Sequence, residues 1–331
     1  MPCPLATLAS PLFASFRFLY NRLVFIRIKC YNIIVFTKKY CISNIMSFKT
    51  WIWKNVPGIA GRCNDIIYSR SILPQGQDIL VYFGGDVQDI QENMEQYTDS
   101  KKYTEWSLEN SARILATNFP DKHVLVVRPS RKYVSRSAVY SCFDNFVPSD
   151  EYGIPSFTVV HNALKHLQEL IKSSLEHFKT SNIDENSAQF NMEKIRLSLM
   201  GFSKGCVVLN QLLHEFHYYQ NKSEPDIEIN NFIKLVESMW WLDGGHAGSK
   251  DTWITEKSIL ESFAKLKIDV HVDVTPYQVK DSHRPWIRKD ENRFCSILQN
   301  MGIPVERILH FADLPRSLTM HFNILKVIGN R

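Results

Sequence analysis

Residues Lys194 to Phe216 read KIRLSLMGFSKGCVVLNQLLHEF, and the fold follows from how this stretch is read. The apolar run Ile195 to Met200 has the length and composition of a buried strand. It ends in Gly201-Phe202-Ser203-Lys204-Gly205. Val207, Val208, Leu209, Leu212 and Leu213 then recur at helical spacing. Strand, G-x-S-x-G, helix is the order of a nucleophile elbow, in which a serine is held on a sharp turn at the carboxyl end of a strand. The glycines two before and two after it let strand and helix close around that turn. The helix that starts behind the serine aims its amide groups and dipole at charge developing there. The competing reading is an ordinary strand-to-helix turn with an N-capping serine.

Outward from the elbow, apolar strands alternate with amphipathic helices. Asp65–Tyr68, Asp78–Phe83, His123–Val127, Ser238–Leu242, Asp269–Val274 and Glu306–Phe311 read as strands. Glu105–Phe119, Ser156–Phe178, Asn231–Glu237, Glu256–Leu266, Trp286–Met301 and Ser317–Ile328 read as helical. This alternation calls for an α/β fold, a mostly parallel sheet with helices on both faces. Gln75-Gly76 reads as a turn, and Lys179 to Glu193 as a polar connection before the elbow strand. Arg128 to Pro155 reads as a long irregular connection and a candidate wall of a substrate pocket.

A serine hydroxyl needs a neutral imidazole to take its proton, and a carboxylate to fix that imidazole's tautomer. In folds built around this elbow the chain order is Ser, acid, His. His321 follows the last strand and is the expected base. Many carboxylates lie between Ser203 and His321, and two are carried as candidates for the acid. Asp281, beyond the DVHVDV strand, is the first choice, and Asp243, in Asp243-Gly244-Gly245-His246, is the alternative acid. Gly84-Gly85-Asp86-Val87 follows a buried strand and suits an oxyanion loop, so the expected oxyanion amides are those of Asp86 (or Val87) and Lys204. His246 is a further candidate for lining the site. His310 reads as a packed or hydrogen-bonded histidine, His283 and Asp313 as surface residues, and the Lys204 side chain as solvated, with an anionic substrate as its functional alternative.

Composition limits the other classes. With 331 residues, 44% apolar and 22% charged, the chain can bury one large core. The net charge of +5 is uneven: nine bases and no acid precede Asp65, and the remaining 30 bases against 34 acids leave −4. This argues against nucleic acid as a partner. Seven scattered cysteines without a C-x-x-C pair point to neither a disulfide framework nor a zinc site. Residues 1–46 form a basic, apolar segment in which arginines interrupt every long apolar run, so it reads as a mitochondrial targeting segment and not as a transmembrane helix. Met46 offers a second start. The folded domain is expected over 51–331.

The strings YFGGDVQ, WSLEN, LMGFSKGCVVLNQLL, WLDGGH and VTPYQVKD, with His321-Phe322, resemble the little-characterised α/β-hydrolase-like family that includes the human chromosome 2 open reading frame 69 protein. The resemblance runs from about Val56 to the C-terminus. It implies an α/β-hydrolase-like fold, a mitochondrial protein (matrix, with cytoplasm as the alternative) and a link to respiratory-chain maintenance. It supports Ser203, Asp281 and His321 as the triad and leaves Asp243 as a neighbour. The expected chemistry is hydrolysis of an ester or thioester acyl substrate, with lipids included, and it needs no metal or organic cofactor. The alternative is a non-catalytic hydrolase-fold protein that binds a protein partner in mitochondrial metabolism.

Overall fold

The computed structural model describes residues 49–73, 76–135, 138–180 and 195–329. Residues 1–46, Gln75 of the expected turn, and 181–193 of the polar connection lie outside the described residues. Eight strands form one sheet in the order β1-β2-β4-β3-β7-β8-β9-β10. They are β1 (Thr50–Pro57), β2 (Cys63–Ser69), β3 (Asp78–Phe83), β4 (Lys122–Val127), β7 (Leu197–Phe202), β8 (Val236–Leu242), β9 (Asp269–Val274) and β10 (Val305–Leu309). β1–β2 and β2–β4 pair antiparallel, and every pairing from β4 through β3 and β7 to β10 is parallel. A separate hairpin, β5 (Arg131–Val134) with β6 (Val139–Cys142), occupies part of the connection expected to be irregular.

Burial on both sheet faces follows from the strand composition, which is apolar at successive residues and not only at alternate ones. Ile79, Val81 and Phe83 of β3 belong with Leu197, Leu199, Met239 and Trp241 to one continuous core, while Leu80, Tyr82, Met200 and Trp240 between them are buried on the other side. The first face is covered by α2 (Ala163–Thr180), α3 (Cys206–Asn221), α4 (Lys257–Lys265) and α5 (Pro285–Asn300), all of which feed that core. α1 (Leu108–Asn118) lies against β2 and β4, and the Phe119 ring that follows it meets Trp240 edge-on at 5.4 Å. α6 (Leu318–Asn323) closes the chain near the carboxyl end of the sheet.

The helix expected from Ser156 starts seven residues later. Asn162 is in the left-handed region (φ 61), which breaks any helix continuing from before it, and Val159 is 64% exposed. A distant acid fixes the new start. Glu215 of α3, fully buried, accepts backbone N–H groups from His161, Ala163 and Leu164, each at 2.8 Å. It supplies the acceptors that the first turn of α2 otherwise lacks. Glu215→Ala is predicted to strand these donors and lower stability by about 3 kcal/mol. Urea midpoints check this, and an unchanged midpoint would remove Glu215 from the account.

Candidate active site

The elbow forms as the sequence implies. β7 ends at Phe202, a 3-10 turn spans Ser203–Gly205, and α3 begins at Cys206. Ser203 has φ 52, a conformation that L-residues avoid unless the surroundings impose it. The surroundings here are backbone. A Cβ on Gly205 would stand 2.0 Å from the Phe83 carbonyl oxygen, and one on Gly85 would stand 2.9 Å from Ser203 Cβ. The glycines therefore let the end of β3 and the loop after it press directly on the nucleophile turn.

That loop is held by a residue the sequence reading passed over. Gln88 is fully buried. Its Oε1 accepts from Gly85 N–H at 2.8 Å and from Tyr82 OH at 3.0 Å, and its Nε2 donates to Trp106 O and Ser111 Oγ. It stands within the YFGGDVQ string, and a glutamine after a glycine pair is the signal that could have marked it. Asp86 Oδ1 accepts from Ser141 N–H at 2.7 Å, and Val87 N–H donates to Val139 O at 3.3 Å. The hairpin thus packs on the loop. Among the described residues the Asp86 amide has no acceptor within the protein, and of the two loop amides first considered it is the one left open. The Lys204 amide lies in the first turn behind the serine, where a helical N–H lacks an intrahelical acceptor.

His321, on α6, is buried, and its imidazole lies between the Phe202 and Tyr277 rings, with both centroids 4.5 Å away. Its Nδ1 is 2.6 Å from Asp243 Oδ2. A carboxylate oxygen only accepts, so Nδ1–H donates; in the neutral ring this fixes the tautomer whose lone pair is on Nε2. Asp243 is fully buried at the end of β8 with φ 46. Its Oδ1 accepts from Thr275 N–H at 2.8 Å and its Oδ2 from Thr275 Oγ1 at 2.5 Å. Gly245 N–H, two residues on, donates to the Ser203 carbonyl at 3.3 Å, which ties this turn to the elbow. Among the described residues neither Ser203 Oγ nor His321 Nε2 hydrogen-bonds within the protein, and such bonds commonly tighten only with substrate.

The expectation that Asp281 orients His321 is corrected by this geometry. Asp281 accepts from His283 N–H and Arg284 Nε, both at 2.9 Å, and pairs with Arg316 Nη2 at 3.0 Å. Burial works against its charge, but the Arg284 bond, the His283 amide and the two guanidinium charges hold the carboxyl below its usual range. The carboxylate is committed to two arginines and a backbone amide, while the Nδ1 of His321 is taken by Asp243. Arg316 also donates to the Tyr277 carbonyl, so Asp281 braces the segment leading into α6.

A second correction concerns Lys204, whose side chain is fully buried and not solvated. His246 is buried too, with Nδ1 accepting from Gly248 N–H at 3.0 Å. Burial, and then the neighbouring Lys204, push its imidazole down to about 4. His310 lies just past β10, with Nε2 2.7 Å from Asp273 Oδ1, and His283 and Asp313 are exposed. Among the described residues no cluster of three or more His, Cys, Asp or Glu is arranged to hold a metal, and no helix is long and apolar enough to cross a membrane.

The strand order, with the elbow after β7 and the histidine after β10, defines a protein of the α/β-hydrolase fold. The C2orf69 family model matches residues 53–191 and 172–304. A Mus musculus relative named mitochondrial protein C2orf69 homolog is 36% identical over 294 residues, covering 77% of this chain and 79% of the relative. The Homo sapiens mitochondrial protein C2orf69 is 35% identical over 295 residues, covering 77% and 75%. The chain belongs to the C2orf69 family. Similar solved structures include esterase LipW from Mycobacterium marinum (11% identity, TM-score 0.44, 88% of this chain and 84% of that one) and esterase Est22 (13%, 0.41, 84% and 75%).

Proposed function

We propose that the protein is a mitochondrial serine hydrolase acting on an ester or thioester acyl group, with Ser203 as nucleophile, His321 as base and Asp243 as the acid that orients it. One observation carries this reading: the buried Asp243–His321 pair is held at 2.6 Å, and the His321 ring lies 4.5 Å from the ring of Phe202, the residue before a serine held in strained backbone. Ser203 Oγ bonds to the acyl carbon as its proton passes to His321 Nε2. The carbonyl oxygen becomes an oxyanion facing the Asp86 and Lys204 amides. Collapse breaks the bond to the alcohol or thiol, which leaves with the proton from His321. Water, deprotonated by the same imidazole, then releases the acid and restores the serine.

Placement in mitochondria is supported by the names of the relatives and by the acid-free, basic segment 1–46, and the matrix is the proposed compartment. A role in respiratory-chain maintenance follows only from the family resemblance. The test of the chemistry is turnover of p-nitrophenyl butyrate and butyryl-CoA. The expected result is that Ser203→Ala loses roughly 10³-fold or more in kcat. Turnover that survives the substitution would overturn the assignment.

A further inference from the structure

We propose that the Lys204 side chain is a receptor for an anion, and that the molecule attacked by Ser203 carries a carboxylate or phosphate that seats on Lys204 Nζ. That Ser203 attacks this molecule rests on the function proposed above, but the anion site itself does not.

Lysine is almost never fully buried unless paired, because an unpaired charge away from water is strongly disfavoured. Other cations drawn into this protein obey that rule. Arg128 binds Asp65 and Asp89, Arg307 binds Glu291, Arg62 donates to the Asn145 and His161 carbonyls, and Lys132 donates to Gln88 O and Ser141 Oγ. Lys204 does not. Its side chain is fully buried, yet among the described residues Nζ has no hydrogen-bond partner and no carboxylate within 4.0 Å.

Its surroundings are built and not accidental. Nζ would lie 3.3 Å from a Cβ placed on Gly153, and the same Cβ would stand 3.0 Å from Cys142 Sγ. Glycine at 153 (φ 70) therefore keeps the wall beside Nζ down to backbone. That turn is closed by Gly153 N–H to Asp150 O and by Ile154 N–H to Asp150 Oδ1. Cys142 ends the hairpin whose Ser141 grips the oxyanion loop at Gly85 O and Asp86 Oδ1. The amine therefore sits beside the turn packed on the hairpin that holds the oxyanion loop.

A second buried donor lies close by. His246 Nδ1 accepts from Gly248 N–H, which puts the ring proton on Nε2, and Nε2 makes no hydrogen bond of normal length. The Asp251 backbone pulls its pKa slightly upward, against the larger downward effects of burial and of Lys204. Unpartnered buried polar groups call for an explanation, and an oxyanion satisfies a buried ammonium donor such as Lys204 Nζ. The alternatives for the anion are a carboxylate at the far end of the acyl chain and a phosphate on the leaving group.

Melting of the full chain is compared in glutarate, in phenyl phosphate and in NaCl matched for ionic strength. One of the two anions is expected to raise Tm above the NaCl control in wild type and Lys204→Arg, and to have no such effect in Lys204→Met. Glutarate marks the carboxylate source and phenyl phosphate the phosphate. Without anion, Lys204→Met is expected to melt above wild type, because an apolar side chain replaces an unpaired buried cation. If glutarate is the stabilising anion, the ratio of kcat/KM for mono-p-nitrophenyl glutarate to that for p-nitrophenyl pentanoate falls by about tenfold or more in Lys204→Met. No anion-specific shift in wild type, or a shift that persists in Lys204→Met, overturns the proposal. The wild-type comparison stands even if the variant does not fold. If Ser203 is not a nucleophile, neither ester turns over and the melting result is untouched. If melting shows no anion effect while neutral esters are hydrolysed through Ser203, the anion site alone falls.

Discussion

Asp243→Asn is expected to lower kcat on an activated acyl ester by roughly 10³–10⁴-fold while leaving the sheet intact. The asparagine can still accept from Thr275 N–H, but it removes the charge that stabilises the imidazolium. It also presents an amide where His321 Nδ1–H needs an acceptor, which favours the wrong tautomer. Asp281→Asn is the paired control. Its partners are Arg284 and Arg316, so the variant should lower stability by about 1–3 kcal/mol, read from the urea midpoint, and change kcat only several-fold through the loosened approach to α6. Near-equal losses of kcat in the two variants, or the larger loss in Asp281→Asn, would reverse the assignment of the acid.

The second large effect is on folding. Gly205→Ala is expected to cost roughly 4 kcal/mol or more, enough to abolish soluble expression of a marginally stable domain. The added methyl would meet the Phe83 carbonyl oxygen at 2.0 Å, its carbon at 2.5 Å and the Gly84 oxygen at 2.8 Å. These are backbone atoms of a central strand and of the oxyanion loop, and no side-chain rotation makes room for the methyl. Soluble yield and urea midpoint measure the effect. A variant that folds with a near-native midpoint would show that the elbow is looser than this packing implies.

Seven of the eight sheet strands and the elbow were legible because their signals are local, whereas β1 and the β5–β6 hairpin were not anticipated. Ile195 to Met200 is mostly apolar, with Arg196 and Ser198 between the apolar residues, Gly201 to Gly205 follows at once, and Leu209, Leu212 and Leu213 keep a helical period. What the chain concealed is long-range. Asp243 and Asp281 both lie between Ser203 and His321, so sequence order cannot separate them. The choice is made by two arginines that capture one carboxylate and by the Thr275 amide and hydroxyl that position the other. The true neighbour of His321 left one local sign, an acid at the end of an apolar strand before two glycines, where a left-handed turn is easily made. Lys204 looked like a surface residue because nothing within several positions covers it. Its cover comes from Cys142 and Gly153, more than 50 residues earlier in the chain. The start of α2 was misplaced for the same kind of reason, since the acid that fixes it, Glu215, belongs to another helix.

Covalent capture distinguishes an activated Ser203 nucleophile from an inert serine. The folded full chain is treated with a fluorophosphonate, and the adduct is located by intact mass and peptide mapping. The account predicts one phosphonyl group per chain, on Ser203, with its rate of formation sharply reduced in His321→Ala and in Asp243→Asn. Folded protein that takes up no adduct, or takes it up at a residue other than Ser203, would contradict it and would favour a hydrolase-fold protein that works by binding a partner.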